Sequence, residues 1–419
     1  MQIFLNYEDI STRVSYSDNG VLDAFGRLRV SEPHALFDSA SVLNASPLLY
    51  ETILVTGGIS THLPNESSVQ LSVTSSVGSK VSREQHGYNK YFPGKSQLVF
   101  FTFVMDTAVS GISKRVGYFN DKNGLYFEQD VDGILKTVLR TYVSGSAVDN
   151  KVKQTDWNLD VLNGSGSVDN PSGLSLDITK VQILLIDFQW LGAGRIRFGM
   201  NINGRIIYIH EINNANVINI TYMSTGSLPV RFEIENVSSV AGASMKAICA
   251  TVQSEGGEGI DTYRGSASSG ITSKSIGGTR TQLISIRLAP TVSGNINRAS
   301  VELIGVEIMT KGVDSVFFEL IFQRAHLSEN NLGGTPTWNA VNNSVVEYSV
   351  NGTTIANGSV ILSGYISGAT RRLNVPINSK NLLALNADGS ASDWFHIAVT
   401  NTDPGSVAVL GAVIWKEIY

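Results

Sequence analysis

The chain has 419 residues and a net charge of −5, with 31 basic and 36 acidic residues and one cysteine. This length exceeds what one hydrophobic core usually serves, so we predict two domains and an accessory segment. The charge argues against nucleic acid as the main partner, and the single cysteine excludes a disulfide framework. Charged residues make up only 16% and glycines number 40, which favours sheets and turns over exposed helices.

The N-terminal segment contains the stretch DAFGRLRVSEPHALFD at positions 23–38. Apolar residues alternate with arginines, and Pro33 favours an extended backbone before it. Such a segment suits strand addition to a partner or a clamp onto its carboxylates. We interpret residues 1–45 as an arm with these partner-docking residues: Phe25, Arg27, Leu28, Arg29, Val30 and Phe37. The equal alternative is a first strand and corner of the chain's own sandwich.

Strand patterns dominate residues 46–258. Positions 98–105 (LVFFTFVM) and 181–190 are almost continuously apolar, which indicates strands in the centre of a sandwich. Four pairs predict hairpin turns: Asn123-Gly124, Asp132-Gly133, Asn203-Gly204 and Asn351-Gly352. The segment is therefore predicted to be a first β-sandwich of the jelly-roll or lectin-like type.

An acidic cluster, Glu128-Gln-Asp-Val-Asp-Gly133, lies inside this domain. Glu128 and Asp130 share one face of a strand, and two carboxylates about 5 Å apart can hydrolyse glycosides. Alternating oxygen ligands before a glycine also allow a calcium site without EF-hand helices. Because Asp132-Gly133 predicts a turn, we prefer solvated carboxylates at a strand end and assign no catalytic residue.

Aromatic residues of the first sandwich could stack on sugars. The candidates are Tyr118, Tyr126 and Trp157, whereas Trp190 continues an apolar strand face and is expected in the core. Trp157 stands in the polar stretch QTDWNLD, so we expect it to be exposed.

Residues 259–280 are rich in glycine and serine and predict a linker or a long crossover. Residues 281–419 predict a second β-sandwich. Its last apolar stretch, 407–415, is one that oligomerisation would protect. The complete expectation is an all-β chain: an extended N-terminal arm followed by two β-sandwich domains.

Patterns typical of catalysis and metal binding are missing from the sequence. No Gly-x-Ser-x-Gly elbow or phosphate-binding loop is found, and the histidines show no ligand spacing at positions 34, 62, 86, 210, 326 and 396. We predict that the chain is not an enzyme, and we assign no metal ligand and no cofactor. The longest apolar block is also far shorter than the ~20 residues of a membrane-spanning helix.

The residues D-A-F-G-R-L-R-V-S-E-P followed by L-F-D resemble the N-terminal signature of a group of virion proteins from tailed bacteriophages. The resemblance continues through GYFNDKNGLYFEQD and IDFQWLGAGRIRFGMNINGRIIYIHEINNAN and extends to about residue 330. It implies a fibre, spike, collar or head-decoration protein that is assembled in the host cytoplasm and located in the virion. It also implies capsid, neck or tail proteins as partners, and a homo-oligomer, with a trimer favoured.

Two functions follow as expectations. The main one is a structural virion protein that acts through assembly and surface binding. The alternative is a module that binds, and could cleave, host-surface glycans through the first sandwich.

Overall fold

The computed structural model describes residues 3–5, 14–16, 21–257, 263–328, 331–368, 372–377 and 381–419. Strands account for 52% and helices for 3%, so the all-β prediction is confirmed. The chain divides into two compact units: Met1–Gln85 with Asn89–Gly259, and His86–Tyr88 with Ile260–Tyr419. No helix in the described part is long and apolar enough to span a membrane.

The described part of the first unit contains seventeen strands: β1 (Ile3–Leu5), β2 (Val14–Tyr16), β3 (Pro33–Ala40), β4 (Tyr50–Val55), β5 (Ile59–Leu63), β6 (Ser68–Val73), β7 (Lys80–Gln85), β8 (Gln97–Val104), β9 (Ile112–Phe119), β10 (Gly124–Gln129), β11 (Leu135–Thr141), β12 (Val148–Lys153), β13 (Gln182–Phe188), β14 (Ile196–Ile202), β15 (Arg205–Ile212), β16 (Val230–Asn236) and β17 (Ala243–Glu255). Short 3₁₀ helices lie at Pro64–Glu66 and Gln154–Asp156.

Fifteen of these strands form two antiparallel sheets, and β1 and β2 pair with each other. One has seven strands in the order β12-β11-β10-β9-β16-β7-β4, and the other follows the order β15-β14-β13-β8-β17-β6-β5, with β3 also paired to β17. β8 carries the predicted central block, and its buried side chains Phe101 and Phe103 belong to the core. Phe101 meets Phe232 of the opposite sheet edge to face at 6.0 Å. The first sandwich is therefore confirmed.

The predicted N-terminal arm is partly a strand of this unit. β3 pairs with β17, and its Phe37 is only 9% exposed in the core, edge to face with Tyr50 at 5.7 Å. This part of residues 1–45 therefore agrees with the alternative interpretation, a first strand of the chain's own sandwich. The neighbouring Leu36 also packs against the core, where the pairing of β3 with β17 shifts register.

One of the predicted Asn-Gly hairpin turns has positive φ at both of its turn residues. Asn203 (φ 54°) and Gly204 (φ 74°) form the two-residue turn between β14 and β15, as a type I′ turn requires. The prediction at Asn351-Gly352 is wrong. Asn351 instead uses its side chain to hold the backbone of Thr335 and Thr337, and the chain runs on to β27.

Fourteen strands lie in the described residues of the second unit: β18 (Tyr263–Ser268), β19 (Lys274–Ile276), β20 (Thr281–Leu288), β21 (Thr291–Val292), β22 (Asn295–Ile296), β23 (Ser300–Thr310), β24 (Val316–Gln323), β25 (Asn339–Ala340), β26 (Val346–Ser349), β27 (Ser359–Ile366), β28 (Arg372–Pro376), β29 (Leu382–Leu383), β30 (Trp394–Asn401) and β31 (Val407–Ile418). One 3₁₀ helix lies at Ala325–Leu327.

Two six-stranded sheets build the second unit. The orders are β18-β31-β23-β28, with β19 and β29 paired alongside, and β25-β26-β20-β30-β24-β27. The predicted linker at 259–280 thus contains β18 and β19, which pair with β31. β31 is flanked on both sides, and its Trp415 is fully buried. The apolar stretch 407–415 is covered inside its own unit, so it needs no oligomer for protection.

Candidate binding site

Residues 21–31, called the signature loop below, fold into a turn of their own. The Asp23 carboxylate accepts hydrogen bonds from the backbone N–H groups of Phe25 (2.9 Å) and Arg27 (2.8 Å). It also accepts one from the Arg27 side chain, at 2.9 Å from Nε. Gly26 lies at the exposed tip with φ of 76°, a conformation that side chains disfavour. The sequence DAFGR therefore defines the turn locally.

A buried carboxylate fixes the signature loop to the first unit. Asp187 of β13 is fully buried. Its oxygens accept hydrogen bonds from four side chains: Arg29 Nη2 (2.6 Å), Tyr208 Oη (3.0 Å), Ser96 Oγ (2.9 Å) and Arg197 Nη2. Arg29 also pairs with Glu255 of β17. We call these six residues the Asp187 centre.

The protonation of the Asp187 centre follows from its charges. Burial alone would lower the pKa of Arg29, but Asp187, Tyr208 and Glu255 outweigh it and raise that pKa above its usual value. Burial and then Asp187 raise the pKa of Tyr208 as well. At neutral pH Arg29 is therefore a cation and Tyr208 a hydroxyl donor, and charge-assisted hydrogen bonds hold the centre.

Backbone contacts complete the attachment of the loop. Arg195 Nε and Gln189 Nε2 each donate to the Ala24 carbonyl oxygen at 3.1 Å. Arg197 Nη2 donates to the Leu22 carbonyl oxygen at 2.7 Å. Arg195 and Arg197 thus bind the loop through its backbone, so these contacts depend on the shape of the loop more than on its side chains.

The predicted docking residues consequently divide into two groups. The side chains of Arg29 and Phe37 contact the chain's own domain, so they do not belong to a surface that docks a partner. Leu28 is 40% exposed and Val30 is 85% exposed. Phe25 and Arg27 lie at the loop surface, with the Arg27 guanidinium 4.5 Å from the centre of the Phe25 ring.

Two grooves flank the signature loop. One, of about 330 Å³, is lined by side chains that include Phe25, Gln189, Arg195, Asn213 and Asn214. The other, of about 640 Å³, is lined by charged and apolar residues that include Asp23, Arg27, Leu28, Val30, Lys95 and Glu255. The amides of the first groove can donate and accept hydrogen bonds, which suits a hydroxyl-rich ligand.

The outer face of the seven-stranded sheet carries a second charged region, called the outer ion network. Strand register places Glu128, Arg115 and Glu233 side by side on β10, β9 and β16. Arg115 Nε lies 2.7 Å from Glu128 and its Nη1 lies 2.6 Å from Glu233. Lys151 Nζ binds both Glu128 (2.7 Å) and Asp130 (2.9 Å). Each of these carboxylates therefore has a cation partner.

This arrangement argues against glycoside hydrolysis at Glu128 and Asp130. Burial alone would raise the pKa of Asp130, but hydrogen bonds from Lys136 and Lys151 outweigh it and lower the pKa to about 2. A general acid for this reaction needs a raised pKa. The lysine ammonium groups also occupy the position where a calcium ion would contact Asp130.

The three aromatic candidates do not form an open platform. Tyr118 and Tyr126 are fully buried, and they lie on opposite faces of the sheet. Trp157 is only 4% exposed, and its indole N–H donates to the Val152 carbonyl oxygen at 3.2 Å. The expectation that Trp157 is exposed is wrong, because the polar residues around it turn outward while its ring packs on Phe127 at 6.0 Å.

Exposed large apolar side chains are concentrated in the sequence from the signature loop to β5. Of the 28 large apolar side chains that are exposed in the described part, nine lie between positions 28 and 59: Leu28, Val30, Val42, Leu43, Leu48, Leu49, Leu54, Val55 and Ile59. We call this set the apolar band. β4 and β5, which contribute its last three members, are end strands of the two sheets. Exposed sheet edges with apolar side chains are typical of association surfaces.

Sequence reasoning missed Asp187 and Arg197. The available signal was a single charge within the apolar run 181–190, since a charge in a buried strand needs a partner. Arg197 lies directly opposite Asp187 in the strand register.

No protein-family model and no curated protein matches this chain. Solved structures resemble it at low similarity. A protein of unknown function from Shewanella oneidensis is 8% identical with a TM-score of 0.36, over 56% of this chain and 90% of that one. A Bacillus licheniformis β-glucanase is 12% identical with a TM-score of 0.34, over 52% of this chain and 96% of that one. A legume lectin-like domain from Entamoeba histolytica is 11% identical with a TM-score of 0.30, over 52% of this chain and 96% of that one.

Proposed function

We propose that this chain is a non-enzymatic assembly protein of a bacteriophage particle, which associates through the apolar band. The observation that supports this proposal is the concentration of nine exposed large apolar side chains within positions 28–59. Soluble monomers seldom leave such a surface uncovered, because its burial against a partner is favourable by roughly 25 cal/mol per Å². The partner is a second copy of the chain or another virion protein.

The Asp187 centre gives this surface a defined starting point. Arg29 points inward to Asp187, so its neighbours Leu28 and Val30 point outward by the alternation of an extended chain. The loop that carries them is held by charge-assisted hydrogen bonds and does not have to be ordered when a partner binds. Preorganisation of this kind lowers the entropic cost of association.

The assembly proposal is tested by charge insertion in the apolar band. Leu43, which is 91% exposed, is replaced in Leu43→Glu, and Val168, which is 90% exposed and lies outside the band, is replaced in Val168→Glu as the matched control. Sedimentation velocity of the wild type is expected to show an oligomer that Leu43→Glu dissociates and Val168→Glu preserves. A wild-type monomer that also fails to bind purified particle proteins would contradict the proposal.

The particle setting is motivated by the resemblance of residues 23–38 and the following stretches to phage virion proteins. It is tested by electron microscopy of phage particles labelled with an antibody against residues 280–419. Label at projecting tips supports a fibre or spike, and label over the shell supports a decoration protein. Particles that lack the chain by immunoblot would overturn the virion assignment.

Glycan binding is a second candidate, favoured by the groove beside the signature loop. Its amides, its guanidinium and the Phe25 ring provide the polar and aromatic groups that sugar hydroxyls and sugar faces require. The β-glucanase and the lectin-like domain share only a general fold with this chain, so the case for a glycan depends on the groove.

The glycan candidate predicts that Asn213→Ala lowers binding on a glycan array, whereas Asn219→Ala, at an exposed position outside the groove lining, does not. Absence of binding by the wild type would remove this candidate. Release of reducing sugars that Glu128→Gln abolishes would overturn the non-enzymatic assignment.

A further inference from the structure

A buried histidine of the second unit has one nitrogen without a partner. The side chain of His86 is fully buried, and its Nε2 lies 2.7 Å from Asp393 Oδ2. Its Nδ1 is buried and has no hydrogen-bond partner among the described residues. A buried polar atom without a hydrogen-bond partner is unfavourable, because it has lost its contacts with water. This cost points to a missing ligand for Nδ1.

Asp393 determines which nitrogen of His86 can bind that ligand. The Asp393 carboxylate also accepts from Arg324 Nη1 at 2.5 Å and from the backbone N–H of Ala325 at 3.0 Å. This carboxylate is fully buried, is ion-paired with Arg324 and faces Nε2 of His86. It therefore takes the His86 proton on Nε2 and leaves a lone pair on Nδ1. Histidine ligands of metals are commonly oriented by a carboxylate in this way.

A second imidazole lies beside His86. The ring centres of His86 and His326 are 4.7 Å apart with a tilt of 40°, and one nitrogen of each ring lies within 4.8 Å of the other. Nitrogens bound to one zinc ion at about 2.1 Å can be no more than about 4 Å apart, so a small adjustment would bring both rings to one ion. His326 is in the 3₁₀ helix Ala325–Leu327, whose first N–H Asp393 also binds.

We propose that His86 and His326 bind a divalent transition metal, with zinc as the first candidate. Imidazole nitrogen suits Zn²⁺, Ni²⁺ and Co²⁺, whereas Ca²⁺ and Mg²⁺ prefer oxygen ligands. His326 is partly exposed, which gives an ion access from solvent. Two imidazoles leave coordination positions for water or further groups. The role is structural: the ion would join the segment 86–88 to the 3₁₀ helix.

The test is zinc binding by the full chain, measured by equilibrium dialysis with metal analysis. We expect one zinc per chain and a rise in the melting temperature on adding zinc. His326→Gln and His86→Gln should each weaken binding at least about tenfold, while His34→Gln, a histidine of the first unit, should bind like the wild type.

Cobalt(II) provides an independent measurement, because its visible absorption spectrum changes when imidazoles replace water. A wild type that binds no zinc at micromolar concentrations, or variants that bind it as tightly as the wild type, would overturn the proposal. Should His86→Gln fail to fold, the partly exposed His326→Gln alone decides the outcome.

Discussion

The first sandwich carries charge on both of its sheets, and the two regions are built differently. In the Asp187 centre, one buried carboxylate on the eight-stranded sheet holds two guanidinium groups, one of them from a loop far away in sequence. In the outer ion network, neighbouring strands of the other sheet supply alternating charges. Glu233 alone is held by three cations, Arg115, Arg231 and Lys80.

The difference is one of redundancy. In a network where each charged side chain has several partners of opposite charge, most of the buried charges stay paired after one side chain is substituted. In the Asp187 centre both guanidinium groups converge on the single carboxylate of Asp187, and Arg29 also pairs with Glu255. The centre therefore acts as an attachment point for the signature loop, and the network acts as a reinforced sheet face.

The largest expected effect distinguishes the two regions directly. Asp187→Asn should lower the free energy of unfolding of the first unit by about 3–5 kcal/mol, because it removes the buried charge on which the guanidinium groups of Arg29 and Arg197 converge. Glu128→Gln, which is equally buried in the outer ion network, should cost about 1–2 kcal/mol, since its partners retain other carboxylates. Urea unfolding measures both, and equal losses would contradict the difference in redundancy.

A smaller loss of stability is expected when only the attachment of the signature loop is weakened. Arg29→Ala removes hydrogen bonds to Asp187 and Glu255 and should cost about 2–3 kcal/mol. Hydrogen exchange of residues 21–31 should accelerate, while exchange in β13 and β14 stays slow. Arg27→Ala, whose side chain is 54% exposed, serves as the control with a change below about 1 kcal/mol. Unchanged exchange in Arg29→Ala would mean that backbone contacts alone hold the loop.

Acid should weaken the outer ion network next. The folded pKa of Asp130 lies at about 2, below its ordinary value of 3.8. A carboxyl with a lowered folded pKa stabilises the fold above its unfolded pKa and loses that contribution as pH falls through the folded pKa. About 2 kcal/mol should therefore disappear between pH 4 and pH 2. Asp130→Asn should flatten the pH profile of urea unfolding in this window, and an unchanged profile would contradict the assignment.

The smallest effect concerns the tip of the loop. Gly26 has positive φ and no atom within 4 Å of a Cβ placed there, so Gly26→Ala should cost about 1 kcal/mol of purely conformational energy. Gly278→Ala is the matched control, because Gly278 has the same open space without positive φ. Thermal unfolding compares the two, and equal melting temperatures would show that the tip is not constrained.

Sequence patterns predicted the sheets better than the sites. The block 98–105 and the pair Asn203-Gly204 are local signals, since periodicity and turn propensity act between near neighbours. Trp157 shows the limit of the same reasoning: polar neighbours suggested exposure, although the ring packs on Phe127 of a different strand. The strands β18 and β19 within 259–280 were not visible in the sequence for the same reason, because they pair with β31, the last strand.

The sequence by itself determined the all-β class, two sandwiches and the turn encoded by DAFGR, because composition, alternation and glycine chemistry are local properties of the chain. Only the tertiary structure decided that Arg29 faces Asp187 and that His86 lies beside His326. Those contacts join residues that are distant in sequence, and their partners are chosen by strand register and burial. A buried charge or an unsatisfied nitrogen exists only once the fold has removed it from water.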